Sequence, residues 1–356
     1  MATKPVEVAL VGCGAPKRGM GWYHCKQLLD GRVDGGKLVD IVEPWFLGNG
    51  KETPLAEEFK SWVAEYPGLG VHASIGESPS INGKKLAIIC CRTADNPRMV
   101  SEAIGHGFTH IYLEKPGANT VAELEQMLEL TKSKGVVVFM GYNRNFSKYI
   151  LQANAHLATA APGSTLTLGR NDCFTAETLD ECFERNAEGM IKNQMVHEIV
   201  TMITYHGLTA DSIEEVVADP ANTVLETRKG IEDFSKMHCT IKTKSGRAFV
   251  LWGDRLNGEY AEAKVKTAGQ EEEFKAVRPD SKLTEKKRKL DEETPGCMPY
   301  FTLQDDEYLN LKKAVVAAMT ADEGKLPEGL AGLDTAIESM KVCDLITESL
   351  KASLQN

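Results

Sequence analysis

A lysine in a position to do chemistry lies in the turn Glu114-Lys115-Pro116. The turn directly follows the apolar stretch HIYL at residues 110–113, whose composition predicts a short strand. Open α/β sheets bind their ligands at the carboxyl ends of parallel strands, so this lysine is expected to meet a bound ligand. A free lysine has a pKa of about 10.4, and partial burial or a nearby cation lowers it toward the range of a useful base. We hypothesise that Lys115 works in catalysis; the alternative is a surface charge in a turn.

The second chemical feature is a glycine turn near the N-terminus. Residues 6–11 are a compact apolar stretch typical of a strand, Gly12 and Gly14 follow at once, and a helix pattern begins near Gly21. Glycines allow the backbone to approach a pyrophosphate, and the helix N-terminus faces it, so the arrangement predicts a dinucleotide site. The interval between Gly14 and Gly21 is longer than in the standard G-x-G-x-x-G, and a bare glycine turn is the alternative.

An acidic residue indicates which dinucleotide binds. Glu43 ends the next predicted strand, where a carboxylate accepts hydrogen bonds from a ribose diol and repels a 2′-phosphate. This favours NAD over NADP, with Asp40 as a competing acid inside the strand. Lys17 and Arg18 in the stretched turn are the counter-argument, because either can reach a phosphate; we expect them to contact the pyrophosphate or solvent.

Two further strand ends carry polar residues. The apolar strand at 86–91 runs into a loop with Thr93 and Asn96, which we predict to touch the nicotinamide half of the cofactor, although turn chemistry alone explains both. The apolar strand at 136–140 ends in GYNRNF, which contains Asn143 and Arg144.

Periodicity predicts the architecture that positions these residues. Strand and helix patterns alternate about six times over residues 1–146, which predicts an N-terminal Rossmann domain, a doubly wound parallel sheet that binds NAD. Residues 147–356 are predicted to form an α+β domain for substrate binding and oligomerisation, with a large open mixed or antiparallel sheet. Its C-terminal helix at 334–352 is expected to pack back toward the first domain, and residues 270–296 to form a charged surface loop.

Composition narrows the class of protein. The 356 residues carry a formal net charge of −10, which argues against a nucleic-acid binder. The chain has no apolar run of the roughly 20 residues that a membrane span needs, and it begins without a signal-peptide layout. The nine cysteines are scattered without zinc spacing, so we expect no structural metal and a reduced cytoplasmic protein.

The glycine turn, Glu114-Lys115-Pro116 and the GYNR of residues 141–144 together resemble the glucose–fructose oxidoreductase/inositol dehydrogenase (Gfo/Idh/MocA) family. The first 146 residues match in order and spacing, and the remainder matches more loosely. The resemblance implies that Lys115 lies beside the nicotinamide and the reacting carbon. Glu114, Pro116 and Asn143 are then on the cofactor side, and Arg144, with Arg170 and Asp172 of the second domain, on the substrate side.

The family's second catalytic element is a helix that bears an aspartate and a histidine four residues apart. The matching stretch here has Asn193 and His197, which we expect on one side of a helix. His197 corresponds to the general acid/base, while Asn193 binds a substrate hydroxyl but shares no proton. An ordinary core histidine is the alternative for His197.

The resemblance implies an NAD(P)-dependent oxidoreductase that transfers a hydride at a carbinol or carbonyl carbon of a sugar, cyclic polyol or related small hydroxy compound. The alternatives are a non-catalytic nucleotide-binding sensor of the same fold, and a reductase of an unsaturated ring or imine. The family further implies a homodimer or homotetramer formed through the C-terminal sheet.

Overall fold

The computed structural model describes residues 4–79, 83–186, 188–321 and 326–354. The chain forms two compact units, the first made of residues 1–143 and 289–336 and the second of residues 144–288 and 337–356. The predicted division into 1–146 and 147–356 therefore missed a segment that returns to the first unit. From Ile337 onward the C-terminal helix belongs to the second unit, and its packing toward the first domain stays a prediction.

The returning segment joins the first unit through specific contacts. The ring of Phe301 stacks on that of Tyr23, with centroids 4.6 Å apart. Arg32 donates two hydrogen bonds to the buried carboxylate of Asp305, at 2.9 and 2.6 Å. These partners are more than 270 residues apart in sequence, which is why periodicity did not show the return.

The elements that precede the second unit are β1 (Val6–Val11), α1 (Met20–Leu29), β2 (Gly36–Val42), α2 (Pro54–Val63), β3 (Gly70–His72), β4 (Lys85–Ile89), α3 (Asn96–Gly105), β5 (His110–Leu113), α4 (Val121–Lys134) and β6 (Val137–Met140). The second unit then contributes α5 (Lys148–Thr159), β7 (Thr165–Asp172), α6 (Leu179–Arg185), a π-helical segment (Ile191–Met195), α7 (Val196–His206), β8 (Ile213–Ala218), β9 (Val224–Arg228), β10 (Ile231–Thr243), β11 (Ala248–Asn257), β12 (Ala261–Lys266) and β13 (Glu273–Arg278). The chain closes with α8 (Ser281–Glu293), α9 (Pro299–Leu303), α10 (Asp305–Ala321) and α11 (Leu333–Leu354).

The first unit is built on a parallel sheet with the strand order β3-β2-β1-β4-β5-β6. Its central strands are apolar and fully buried, as expected when helices cover both faces of a parallel sheet. The helix after the lysine turn begins at a capping box formed by Thr120 and Glu123 and ends at Gly135, which has a left-handed φ of 64°. The predicted doubly wound fold is confirmed.

The second unit contains a mixed sheet in the order β13-β12-β7-β11-β10-β8, with β9 paired to β10. Strands β7 and β11 are parallel, whereas β10 is antiparallel to β8, β9 and β11. Side chains alternate along β11, where Phe249 and Leu251 are buried while Val250 and Trp252 are partly exposed. Helix α5 packs on β12 and β13. The predicted open mixed sheet is confirmed.

The expectation of an irregular loop at 270–296 was wrong, because β13 and α8 lie within that range. Strand β12, which pairs with β13, alternates the small buried residues Ala261 and Ala263 with charged residues. Because alanine is only weakly hydrophobic, this pattern is a weak signal for a strand. Helix α8 has no buried residue, so it lacks the apolar stripe by which an amphipathic helix is recognised. In the described part of the chain, none of the helices combines the length and the apolarity needed to cross a bilayer.

Candidate active site

The glycine turn after β1 has the close packing that a dinucleotide loop requires. Gly12 and Gly14 adopt left-handed φ values of 82° and 72°, which side chains rarely allow. A Cβ added to Gly21 would lie 2.1 Å from the carbonyl oxygen of Gly12, so α1 presses directly on the turn. Trp22 N donates to the carbonyl oxygen of Cys13 at 2.6 Å and fixes this approach. The glycines therefore permit the close approach of helix and turn that a dinucleotide-binding loop requires.

Glu43 lies where the sequence places it, at the tip of β2, and it is already engaged. Its Oε2 accepts a hydrogen bond from Gly14 N at 2.8 Å, and its Oε1 accepts one from Trp45 N at 3.1 Å. The carboxylate is buried and joins the end of β2 to the glycine turn. Phe46 N donates to Oε1 as well, at 3.3 Å, and because a carboxylate accepts up to about four hydrogen bonds, capacity is left for one ribose hydroxyl.

The stretched part of the glycine turn is attached to the returning segment. Lys17 adopts a φ of 65°, its Nζ donates to the carbonyl oxygen of Pro295 at 3.0 Å, and its own carbonyl accepts from Met298 N at 3.1 Å. Arg18 is exposed. The amine of Lys17 thus has a carbonyl partner that the sequence did not suggest, while a phosphate contact by Arg18 stays a prediction.

Two buried amides lie at the carboxyl ends of β4 and β6. Asn96 Oδ1 and Asn143 Oδ1 have no hydrogen-bond partner among the described residues. Asn143 Nδ2 donates to Glu307 Oε2 at 2.7 Å and to Gln304 Oε1 at 3.0 Å, both on the returning segment. Thr93 is partly exposed in a short 3₁₀ turn before α3. Buried acceptors of this kind suit the carboxamide N–H groups of a nicotinamide, so the first unit fits NAD.

The lysine turn is held by its glutamate. Glu114 Oε1 accepts from the hydroxyl of Tyr112 at 2.9 Å and lies 3.0 Å from His24 Nε2. Lys115 is partly exposed beside this buried carboxylate, and its peptide bond to Pro116 is cis. His24 was not among the predicted site residues. Its place on α1, shortly after the glycine turn, is the signal that identifies it.

The second unit presents His197 in the first turn of α7, directly after a π-helical segment at Ile191–Met195. His197 is 5% exposed. Gln194 Nε2 donates to the carbonyl oxygens of Arg170 and Asp254 at 3.3 and 3.2 Å, which pins the segment to β7 and β11. Single turns of π-helix occur frequently at functional sites because the wider turn changes which side chains point inward.

Asn193 lies inside the π-helical segment, so the expected regular α-helix through residues 193–197 was wrong at this point. Its Nδ2 donates to Glu188 Oε1 at 2.6 Å, and Glu188 is exposed. The carboxylate of Glu188 is therefore hydrogen-bonded to Asn193, the residue that stands where an acid was expected. The sequence offered no signal for this contact, because Glu188 precedes the helix.

The two predicted substrate arginines have different surroundings. Arg144 is 1% exposed; its Nη1 donates to the hydroxyl of Tyr149 at 3.0 Å, and its Nε lies 3.9 Å from Glu198 Oε1. Arg170, on β7, lies 3.7 Å from the carboxylate of Asp172 and is only partly buried. Arg170 is thus the more accessible of the two cations.

Comparison with known proteins defines the class. Residues 6–142 match the family model described as an oxidoreductase family with an NAD-binding Rossmann fold, which agrees with the glycine turn, Glu43 and the strand order. Residues 6–142 are therefore similar to the NAD-binding domain of an oxidoreductase. These residues are similar to the Gfo/Idh/MocA family, as the lysine turn indicated.

Three relatives illustrate the likeness. The chain is 21% identical over 255 residues to a myo-inositol 2-dehydrogenase of Thermotoga maritima, covering 70% of this chain and 69% of the relative. A solved myo-inositol dehydrogenase of Corynebacterium glutamicum has the same fold, with a TM-score of 0.71, 16% identity, and coverage of 98% of this chain and 97% of that one. The WlbA dehydrogenase of Chromobacterium violaceum, solved with NADH and UDP-GlcNAcA, has a TM-score of 0.68, 17% identity, and coverage of 99% and 96%.

Proposed function

We propose that this chain is an NAD-dependent dehydrogenase that transfers a hydride between nicotinamide and the carbinol or carbonyl carbon of a sugar, cyclic polyol or related small hydroxy compound. The observation that carries the proposal is the Glu114-Lys115-Pro116 turn at the carboxyl end of β5 in an NAD-binding sheet. Relatives that bear the name myo-inositol dehydrogenase support the substrate class.

The first unit supplies the cofactor site. The backbone of Gly12 and Gly14 receives the pyrophosphate, Glu43 selects the ribose diol of NAD over the 2′-phosphate of NADP, and Asn96 and Asn143 offer acceptors near the nicotinamide. NAD, when bound, supplies the hydride chemistry, and the protein supplies orientation and proton transfer.

Proton transfer falls to two residues in this proposal. His197 is the general acid/base for the substrate hydroxyl, because an imidazole titrates near neutrality. Lys115 assists from the nicotinamide end of the cofactor site. Asn193, Arg144 and Arg170 bind the substrate, and Arg170 is the best placed of these cations because it is partly exposed.

The experiment combines binding and turnover. NADH and NADPH are titrated by nicotinamide fluorescence, and myo-inositol and D-glucose are then tested for reduction of NAD at 340 nm. We expect NADH to bind more tightly than NADPH, and Lys115→Met to lower kcat by about a thousandfold with NADH binding unchanged. Lys132→Met, on the exposed face of α4, is the matched control. Binding of neither nucleotide overturns the enzyme proposal.

A nucleotide-binding sensor is the competing function, and the amide at Asn193 is the observation that favours it. A sensor binds NADH tightly, turns over no polyol, and is insensitive to Lys115→Met. The same titrations, on the wild type and the same variant, therefore distinguish the two functions.

We further propose that the chain forms a homodimer or homotetramer through the open face of the second sheet. This face carries the exposed apolar side chains of Val217 and Val224, 38% and 45% exposed, and the partly exposed ring of Trp252. Exposed apolar groups on a sheet face favour association, because contact with a second copy removes them from water. Sedimentation of the wild type and of Val217→Asp tests the proposal, with a shift of the variant toward monomer as the expected result.

A cytoplasmic location is also proposed. All nine cysteines are free, and five of them are buried, as in proteins of a reducing compartment. Fractionation of the native cells, with the protein followed by antibody, tests this assignment.

A further inference from the structure

Three buried side chains form a hydrogen-bonded chain behind the lysine turn. Lys312 Nζ, on α10, lies 2.7 Å from His24 Nδ1, and His24 Nε2 lies 3.0 Å from Glu114 Oε1. Lys312 is 1% exposed and His24 is completely buried. All three belong to the first unit, although α10 follows α1 by about 280 residues.

The donor and acceptor roles in this chain follow from chemistry. A lysine ammonium only donates, so His24 Nδ1 accepts from Lys312. His24 is then neutral, carries its proton on Nε2, and donates that proton to the carboxylate of Glu114. Burial, aided by the charge of Lys312, lowers the pKa of His24 to about 4, which keeps the ring neutral at physiological pH.

The carboxylate of Glu114 is confined on its other sides. The hydroxyl of Tyr112 donates to Oε1 at 2.9 Å. A Cβ added to Gly141, at the end of β6, would lie 2.8 Å from the same oxygen. Glu114 therefore sits in a niche closed by a hydroxyl, an imidazole and a backbone. Because Glu114 directly precedes Lys115, whatever holds the carboxylate also holds the start of the lysine turn.

We propose that Lys312 is a positioning residue of the oxidoreductase site: its hydrogen bond to Nδ1 holds the ring of His24, which holds Glu114 and thereby the orientation of Lys115. The inference rests on the proposed function in one respect, the role of Lys115 at the reacting carbon. The hydrogen-bonded chain itself is independent of that role.

The protonation of Lys312 links this chain to pH. Burial lowers the pKa of Lys312 to about 7, and the negative charge of Glu114 opposes that shift. The titratable and charged groups that face the amine are His24 of α1, Arg32 after α1, Cys90 at the end of β4, Glu114 after β5, and Asp305 and Tyr308 of α10 itself. The charge behind Glu114 therefore changes when Lys312 gains or loses its proton.

The first test uses Lys312→Met in the full chain, because methionine keeps the length of the side chain without a donor. Lys313→Met is the matched control, since Lys313 is the next residue of α10 and is 39% exposed in a pair with Asp34. The ¹⁵N spectrum of the histidine rings reports the hydrogen bonds of His24. We expect the Nδ1 resonance of His24 to shift in Lys312→Met, where its donor is lost, and to stay in place in Lys313→Met.

The second readout is kinetic, with NAD and myo-inositol or D-glucose, whichever turns over faster. Lys312→Met is expected to lower kcat about tenfold with the Kd for NADH changed less than about twofold, because misplacement of a catalytic group acts on the chemical step. The contribution of Lys312 to the pH profile of kcat near pH 7 should disappear with it, while that of the acid/base stays. An equal loss of kcat in Lys313→Met overturns the proposal.

Lys312→Gln serves as the second variant, and it decides the question if Lys312→Met does not fold. Its amide donates to His24 Nδ1 without a charge, so the Nδ1 resonance of His24 and most of kcat should persist while the contribution of Lys312 near pH 7 vanishes. The proposal is overturned if the histidine spectrum of Lys312→Met is unchanged. It is also overturned if the His24 signals of the wild type are lost in Lys312→Gln. A wild type that binds NADH and oxidises neither substrate contradicts the proposed function instead, and the histidine spectra still decide the chain.

Discussion

The carboxyl edge of the first sheet and the histidine helix of the second unit hold their buried carboxylates in different ways. Glu114 accepts from Tyr112 at 2.9 Å and lies 3.0 Å from His24. Glu198, the residue after His197, has the guanidinium of Arg144 at 3.9 Å, and neither of its oxygens has a hydrogen-bond partner among the described residues. One carboxylate is oriented by donors, and the other is balanced mainly by charge.

This difference indicates which of the two regions, the lysine turn or the histidine helix, is the more rigid. Directed hydrogen bonds in a low-dielectric interior fix an orientation, whereas a charge at 3.9 Å stabilises a carboxylate over a range of positions. We infer that the lysine turn is preorganised and that the histidine helix adjusts on substrate binding. Substitutions in the lysine turn and in the histidine helix should therefore have different effects.

The largest effect is expected where charge alone balances charge. Arg144→Met leaves the Glu198 carboxylate buried without its cation, and we expect the free energy of unfolding to fall by about 4 kcal/mol. Urea unfolding measures the loss. Lys148→Met, which breaks an exposed pair with Asp280, is the control and should cost little. Combining Arg144→Met with Glu198→Met should recover most of the loss; a double variant as unstable as the single one contradicts the charge argument.

The next effect concerns pH. The folded-state pKa of His24 is lowered to about 4, mainly by burial, while an unfolded histidine titrates near about 6.5, so the unfolded chain binds more protons between these values. Stability therefore falls as pH drops from about 6.5 to 4, by about 3 kcal/mol for this residue. His24→Gln should remove that part of the slope in urea unfolding at a series of pH values.

His206 is the matched comparison in the second unit, because burial and the charge of Arg247 lower its pKa to about 4 as well. His206→Gln should reduce the pH dependence of stability in the same window by less than His24→Gln does. The reason is that His24 is fully buried and His206 is half-buried. The reverse order would show that the first region is not the more tightly constrained of the two.

A smaller effect is expected from crowding the niche of Glu114. In Gly141→Ala the new Cβ meets Glu114 Oε1 at 2.8 Å, so the carboxylate must move and the lysine turn with it. We expect kcat to fall about tenfold with little change in the Kd for NADH. Gly105→Ala, at the end of α3, places its Cβ in open space and is the control. Full activity in Gly141→Ala argues that the turn is not preorganised.

The smallest effect is expected at the adjustable region. Asn193→Asp replaces the donor to Glu188 Oε1 by a carboxylate, so the 2.6 Å contact is lost and the two acids separate. A negative charge near His197 stabilises its imidazolium, which should raise the acidic limb of the kcat/KM profile by less than about one pH unit. Glu188→Gln, which keeps Asn193, is the comparison. A downward shift of that limb contradicts the assignment of His197 as the acid/base.

Short-range patterns predicted the elements that carry the cofactor. The strand predicted at 110–113 was correct because an apolar run is a local signal. The π-helical segment before His197 was missed, since its extra residue per turn depends on the contacts of Gln194 with β7 and β11. Strand β12 was not predicted because Ala261 and Ala263 are too small to mark a buried face.

The sequence by itself determined the class of this protein: a glycine turn, an acid at the tip of β2 and a lysine after β5 are read from neighbouring residues, and their order defines the sheet edge. Only the tertiary structure decided what surrounds that lysine. His24 and Lys312 meet Glu114 because a segment that follows the second unit's strands in sequence returns to the first unit. No periodicity encodes such a meeting, since it depends on the packing of side chains from three separate elements.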